Sequence, residues 1–187
     1  MRTLDFIYFD AGGGHRASAE ALRESIVRSG RPWTVRLVNL QELLDPIDIV
    51  RKITGLRLQD VYNEFLRRGW TLGSPQMLKL LSALIQSFHQ QSTRLIAEHW
   101  RRAEAKPDLV VSFVPHFNRA LLQGLQQALP GVPFATVLTD LADYPPHFWL
   151  ERQDQIGFCG TERAAEQARV MGIAESRSGE HTSELQS

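Results

Sequence analysis

The junction at the start of the chain narrows the fold most. Leu4 to Asp10 (LDFIYFD) is a short apolar and aromatic run that ends in Gly12, Gly13 and Gly14, and these open an alanine-rich helical pattern from Arg16 to Ser29. An apolar run that breaks on glycines and restarts at helical spacing reads as strand, tight loop, helix. After a break at Gly30 to Pro32, Thr34 to Leu40 (TVRLVNL) reads as a second strand, with Val35 and Leu37 on one face. Two strands joined through a helix form a parallel βαβ unit, because a parallel pair needs a crossover.

The alternation then pauses. From Pro46 to Lys106 there is no good strand candidate. Apolar residues instead recur at helical spacing in three groups, around Leu58 to Leu66, Met77 to Phe88 and Leu95 to Ala103. Strands resume with Asp108 to Val114 (DLVVSFV), Pro133 to Asp140 (PFATVLTD) and Gln155 to Cys159, with helices expected over Asn118 to Leu129 and Thr161 to Met171. These strands are near-continuous apolar runs, as parallel strands covered on both faces are. The expected class is α/β: a Rossmann-like parallel sheet with helices on both faces, over residues 1 to 176, with a helical insertion at 46 to 106 between strands two and three.

Charge and cysteine count restrict the function. The 21 basic and 21 acidic side chains cancel, whereas a dedicated nucleic-acid binder normally carries a basic surplus, so no nucleic-acid partner is expected. The lone Cys159 cannot close an intramolecular disulfide, and Met1 to Asp10 is too short for a secretory signal, so a reducing cytoplasm fits. No window approaches the roughly 18 consecutive apolar residues of a membrane-spanning helix, so any membrane contact would be peripheral.

The glycine loop can be set on the dinucleotide template G-x-G-x-x-A through Gly12, Gly14 and Ala17. The acid that should end the second strand and hold ribose hydroxyls is replaced by Asn39, with Glu42 the nearest carboxylate. A P-loop is excluded, because no Lys followed by Ser or Thr comes after the glycines. His15 falls where the first helix begins, at the carboxyl edge of the sheet. An imidazole there can take a proton from a hydroxyl at neutral pH, and the helix's positive end disfavours its charged form. It can equally cap the helix or pack beneath the loop.

Three stretches, Gly12 to Leu22 (GGGHRASAEAL), Asp108 to Leu121 (DLVVSFVPHFNRAL) and Thr136 to Trp149 (TVLTDLADYPPHFW), resemble the N-terminal domain of the monogalactosyldiacylglycerol synthases and their bacterial diacylglycerol glycosyltransferase relatives. The resemblance covers roughly residues 4 to 175. It implies a GT-B architecture of two Rossmann-like domains, with the acceptor on the first and the nucleotide sugar mainly on the second. It implies that His15 deprotonates the hydroxyl of diacylglycerol, which attacks the anomeric carbon of a UDP-hexose with inversion. No D-x-D triplet occurs, which agrees with a leaving diphosphate stabilised without a metal; no cofactor is implied, UDP-sugar being a substrate. Implied partners are diacylglycerol and anionic lipids, at the inner face of the membrane.

The substrate-binding candidates are Gly12, Gly13, Gly14, Arg16, His116, Phe117, Asp140, His147 and Trp149. Thr139-Asp140 matches the family pattern, and Asp140 either orients the acceptor or caps a turn. Family members carry a His five residues beyond that Asp, in a His-Pro-x-Trp setting. Pro145 stands there instead, followed by Pro146, His147, Phe148 and Trp149. Asn118 reads as the N-cap of its helix. Arg51, Lys52, Arg57, Arg67 and Arg68, with Trp70 and Leu72, form either a headgroup-facing surface or a solvated basic face.

The last eleven residues, RSGEHTSELQS, lack apolar periodicity and are expected to be unstructured. They resemble one translated frame of a common sequencing adapter, differing only by Gly179 in place of Glu. The expectation is a non-native tail at 177 to 187, a natural frame cut near Ser176, and a donor domain absent, which would leave the fragment inactive by itself. Two rival readings stay open: a non-catalytic lipid-binding module, and a nucleotide-dependent oxidoreductase or epimerase.

Overall fold

The computed structural model describes residues 1–10, 14–45, 86–143 and 147–173, and the backbone of 178–180. The first expected insertion helix and most of the second, and with them the basic surface around Arg51 to Leu72, lie outside the described residues, as do Gly12, Gly13 and Pro145.

In chain order the elements are β1 (Arg2–Tyr8), α1 (Gly14–Arg28), β2 (Trp33–Asn39), α2 (Leu40–Leu44), α3 (His89–Arg102), β3 (Leu109–Ser112), α4 (Asn118–Ala128), β4 (Phe134–Val137), β5 (Ile156–Cys159), α5 (Glu162–Val170) and β6 (Ser178–Glu180). The described strands form one parallel sheet in the order β2-β1-β3-β4-β5-β6. This is the Rossmann-like α/β class expected from the sequence. The order reverses at β1, with β2 on one side and β3 on the other, so the crevice of such a sheet opens at the carboxyl ends of β1 and β3.

Side chains alternate across the sheet. On one face Ile7, Val110 and Phe134 pack against Ile96 and Trp100 of α3 and Leu121 and Leu125 of α4. On the other, Leu4, Phe6, Val111, Phe113 and Ala135 pack with Ala19 of α1. A third cluster places Leu138, Trp149 and Leu150 against Ala164, Ala165 and Ala168 of α5. Burial of these apolar faces fixes the register, since a one-residue slip would turn each strand inside out. Helices α3 and α4 approach closely at Gly124, where an added Cβ would lie 2.7 Å from Ile96 Cγ2 and 3.0 Å from the Thr93 carbonyl oxygen.

Three local expectations need correction. The short helix α2 was not expected, because Leu40 continues the apolar run of β2; Asn39 starts it, its side chain accepting from the Gln41 N–H at 3.1 Å. Asn118 is not an N-cap: that position is Phe117, and Asn118 is the first residue of α4, fully buried. The tail expected to be unstructured supplies β6, whose backbone runs parallel to β5. An edge strand presents unpaired N–H and C=O groups, and an adjacent extended segment satisfies them whatever its side chains.

Candidate functional site

The carboxyl ends of β1, β3 and β4 deliver His15, His116 and Thr139-Asp140 to the same edge of the sheet. His15 is the second residue of α1, partly buried, and its Nδ1 lies 3.0 Å from the Thr139 hydroxyl. The indole of Trp149 stands edge-on to the imidazole, with ring centres 5.6 Å apart. That indole N–H donates to Asp140 Oδ2 at 2.8 Å. Asp140 is therefore engaged by a side chain of the loop that follows it. His15, Thr139, Asp140 and Trp149 form one connected group drawn from three chain segments.

Burial favours the neutral form of this imidazole. Burial pushes His15 below its ordinary range, because a charged ring would lose hydration, and the Asp140 carboxylate opposes part of that fall. A half-buried neutral imidazole can accept a proton at neutral pH.

The remaining candidates divide. His116 is in the left-handed region (φ 67°), its backbone N–H donates to the Phe148 carbonyl, and its ring lies 3.6 Å from that of Phe148. Burial pulls its pKa down to about 4, so it too is neutral at physiological pH. Phe117 packs edge-on against Phe9 at 5.4 Å, joining the loop after β3 to the end of β1. His147 is exposed and left-handed (φ 76°), with its backbone N–H held by Asp143. Arg16 is exposed and bound to Asp10 at 3.3 Å and Glu20 at 2.9 Å, beside the site but already paired. Gly14 does not need left-handed backbone; it opens α1, and an added Cβ would meet nothing within 4 Å. Asn39, at the position where a nicotinamide enzyme needs its ribose-binding acid, is occupied in capping α2 and donating to Glu42 at 3.2 Å.

Three further residues matter here: Asn118, read from the sequence as a cap, and Asp143 and Gln167, which are not among the candidates drawn from the sequence. Asn118 donates to the Val114 carbonyl at 3.0 Å and the Trp149 carbonyl at 2.9 Å, tying α4 to the loop that carries Trp149. Asp143 is wholly buried and gathers the N–H groups of that loop, and Gln167 of α5 grips its backbone. An Asp followed shortly by two prolines is turn chemistry that could have marked Asp143. Nothing in the spacing could have marked Gln167.

No family model matches the chain, and no solved structure does. Curated relatives do. The chain is 25% identical, over 95% of its length, to monogalactosyldiacylglycerol synthase 3, chloroplastic, of Arabidopsis thaliana. Over 90% of its length it is 27% identical to monogalactosyldiacylglycerol synthase 2, chloroplastic, of the same plant, and 26% identical to the probable monogalactosyldiacylglycerol synthase 2, chloroplastic, of Oryza sativa subsp. indica. It spans 38%, 36% and 35% of these relatives' own lengths. Among the described residues no helix is long and apolar enough to cross a membrane. Along nine-tenths of its own length, the chain is a distant relative of the monogalactosyldiacylglycerol synthases.

Proposed function

We propose that this chain forms the acceptor side of an inverting glycosyltransferase that moves a hexose from a UDP-sugar to diacylglycerol at a membrane surface. Residues 1 to 176 are the acceptor domain of a GT-B arrangement, and the donor is held mainly by a second domain facing the carboxyl edge of the sheet. The observation that carries the reading is the neutral, half-buried His15 on Thr139 and beside Trp149.

In the productive tautomer Nδ1–H donates to the Thr139 hydroxyl, which leaves the Nε2 lone pair free. Nε2 takes the proton of the acceptor hydroxyl as its oxygen forms a bond to the anomeric carbon. The bond from that carbon to the UDP oxygen breaks, UDP leaves with the electron pair, and the proton remains on His15 as imidazolium. Asp140 stabilises the cation as it forms, because the carboxylate already favours the charged ring. Placement of the two reactants supplies the rest, which is why the acceptor edge needs a donor surface opposite it.

The test compares wild type with His15→Ala, in the polypeptide the gene encodes, on vesicles containing diacylglycerol with UDP-galactose or UDP-glucose. Loss of a positioned general base lowers turnover by roughly 10²- to 10⁴-fold, while unfolding midpoint and vesicle binding stay unchanged. Unchanged turnover removes His15 from the chemistry. Absence of transfer by wild type with either sugar, with lipid binding intact, favours a non-catalytic lipid-binding module.

A further inference from the structure

The wall of the site is folded around a buried carboxylate. Asp143 has no solvent exposure, yet it takes up four backbone N–H groups. Its Oδ1 accepts from Phe148 and Trp149, each at 2.9 Å, and its Oδ2 accepts from His147 at 2.8 Å and from Leu150 at 3.4 Å. Its own backbone is clamped by one side chain of α5. The Asp143 N–H donates to Gln167 Oε1 at 2.7 Å, and Gln167 Nε2 donates to the Asp143 carbonyl at 3.1 Å.

We propose that Asp143 is a positioning residue for His15: its carboxylate folds residues 147–150 into a strap that carries the Trp149 indole onto Asp140 and against the imidazole. The inference rests on the reading of His15 as the base.

A charge withdrawn from water is costly unless donors converge on it, and a turn that aims successive backbone N–H groups inward supplies them. The same demand accounts for His147, a residue with a Cβ held at φ 76°, where its N–H reaches Oδ2. The strap is then fixed from outside as well. Asn118 donates to the Trp149 carbonyl, and the His116 N–H donates to the Phe148 carbonyl. Trp149 is left with one orientation, in which its indole N–H meets Asp140 at 2.8 Å and its ring covers His15. An amide cannot replace the carboxylate, because its NH₂ would face two of the four N–H groups.

The experiment follows the His15 imidazole by NMR titration of the 187-residue chain, with the Trp149 indole N–H resonance as a second probe. In Asp143→Asn the strap loosens, the indole proton loses its bonded shift, and the His15 titration moves up toward about 6.5, the value of a solvated imidazole. The sign is diagnostic, since loss of a nearby negative charge alone would move the titration down. An unchanged or lowered titration in a folded Asp143→Asn overturns the proposal. If that variant does not fold, Gln167→Ala decides, because it frees the Asp143 backbone and keeps the carboxylate: an upward shift supports the proposal and no shift overturns it. These readouts need no sugar transfer. Failure of the glycosyltransferase reading, seen as no turnover by wild type, is therefore distinguishable from failure of the positioning role.

Discussion

The half-buried ion pair between β1 and β2 yields the sharpest stability prediction. Asp5 lies in the middle of β1 with no exposure, directly opposite Arg36 in the register of β1 and β2. Arg36 meets it in a fork, Nε to Oδ1 at 2.6 Å and Nη2 to Oδ2 at 2.9 Å, and the Trp100 indole N–H adds a third bond at 3.0 Å. The carboxylate thus fastens the edge strand β2 and α3 to β1. Arg36→Met keeps an apolar stem and leaves Asp5 facing the indole N–H alone. Removing one partner of a buried pair costs up to about 3 to 5 kcal/mol, because the other charge stays desolvated, and the partial exposure of Arg36 makes this an upper bound. With a urea m-value of about 2 kcal/mol/M, the midpoint falls by up to about 2 M. That is a large part of a typical 5–15 kcal/mol stability, roughly. Adding Asp5→Asn to the same chain removes the stranded charge and recovers most of the loss. Urea unfolding followed by far-UV circular dichroism on wild type, single and double variants checks this. A single variant within 1 kcal/mol, roughly, of wild type, or a double as unstable as the single, would refute the argument from stranded charge.

Other predictions reach the site and the core. Because burial lowers the His116 pKa from 6.5 to about 4, the native state binds fewer protons than the unfolded chain between those values. The stabilisation from His116 is complete above pH 6.5 and is lost as pH falls toward 4. His116→Asn, which tolerates left-handed backbone, should flatten this acid limb by about 1.6 kcal/mol between pH 6.5 and 5, read from urea midpoints at the two pH values. Gly124→Ala drives a methyl into Ile96 and the Thr93 carbonyl. The overpacking of about 1–3 kcal/mol exceeds the gain of about 1 kcal/mol in helix propensity, so the melting temperature falls; a rise would mean that α3 and α4 part easily. Thr139→Val removes the hydroxyl at His15 Nδ1 without changing shape. A net hydrogen bond of about 0.5–1.5 kcal/mol corresponds to a loss of about 2- to 13-fold in kcat/KM, with Thr139→Ser near wild type; equal rates for Val and wild type would leave the tautomer without its anchor.

The sheet was legible because its strands are apolar runs bounded by glycine and proline, and because Ala-rich and Leu-rich stretches between them repeat at helical spacing. His15 was legible for the same reason: a residue just after the glycines must fall where a helix meets the carboxyl edge. Asp140 and Trp149 were legible through the family resemblance, but their contacts with His15 and with each other were not. Thr139 lies 124 positions away, and only the parallel order of β1, β3 and β4 brings it to Nδ1. Asn118 looked like a cap, because nothing local shows that its amide spans to the Trp149 carbonyl, 31 positions on. Asp143 is legible only as a turn residue, because an acid before two prolines marks a turn without showing what the turn holds. Its burial depends on Gln167 and on the apolar seat that α5 provides.

This division has a physical origin. Periodicity reports which side of an element faces the core, and it extends over many residues, so a single sequence carries it redundantly. A site at a switch point is assembled from loop residues that contribute one atom each, and each is held by a partner behind it: Asp140 behind Trp149, Asp143 behind the strap, Gln167 behind Asp143. Catalytic geometry tolerates little displacement, so these rear contacts limit how well the imidazole can be aimed. The chain places uncharged rings around His15 and His116 and a fully buried carboxylate one residue layer away, not against the base. That spacing lets a negative charge organise the backbone while burial, rather than a facing counter-ion, governs the protonation of His15.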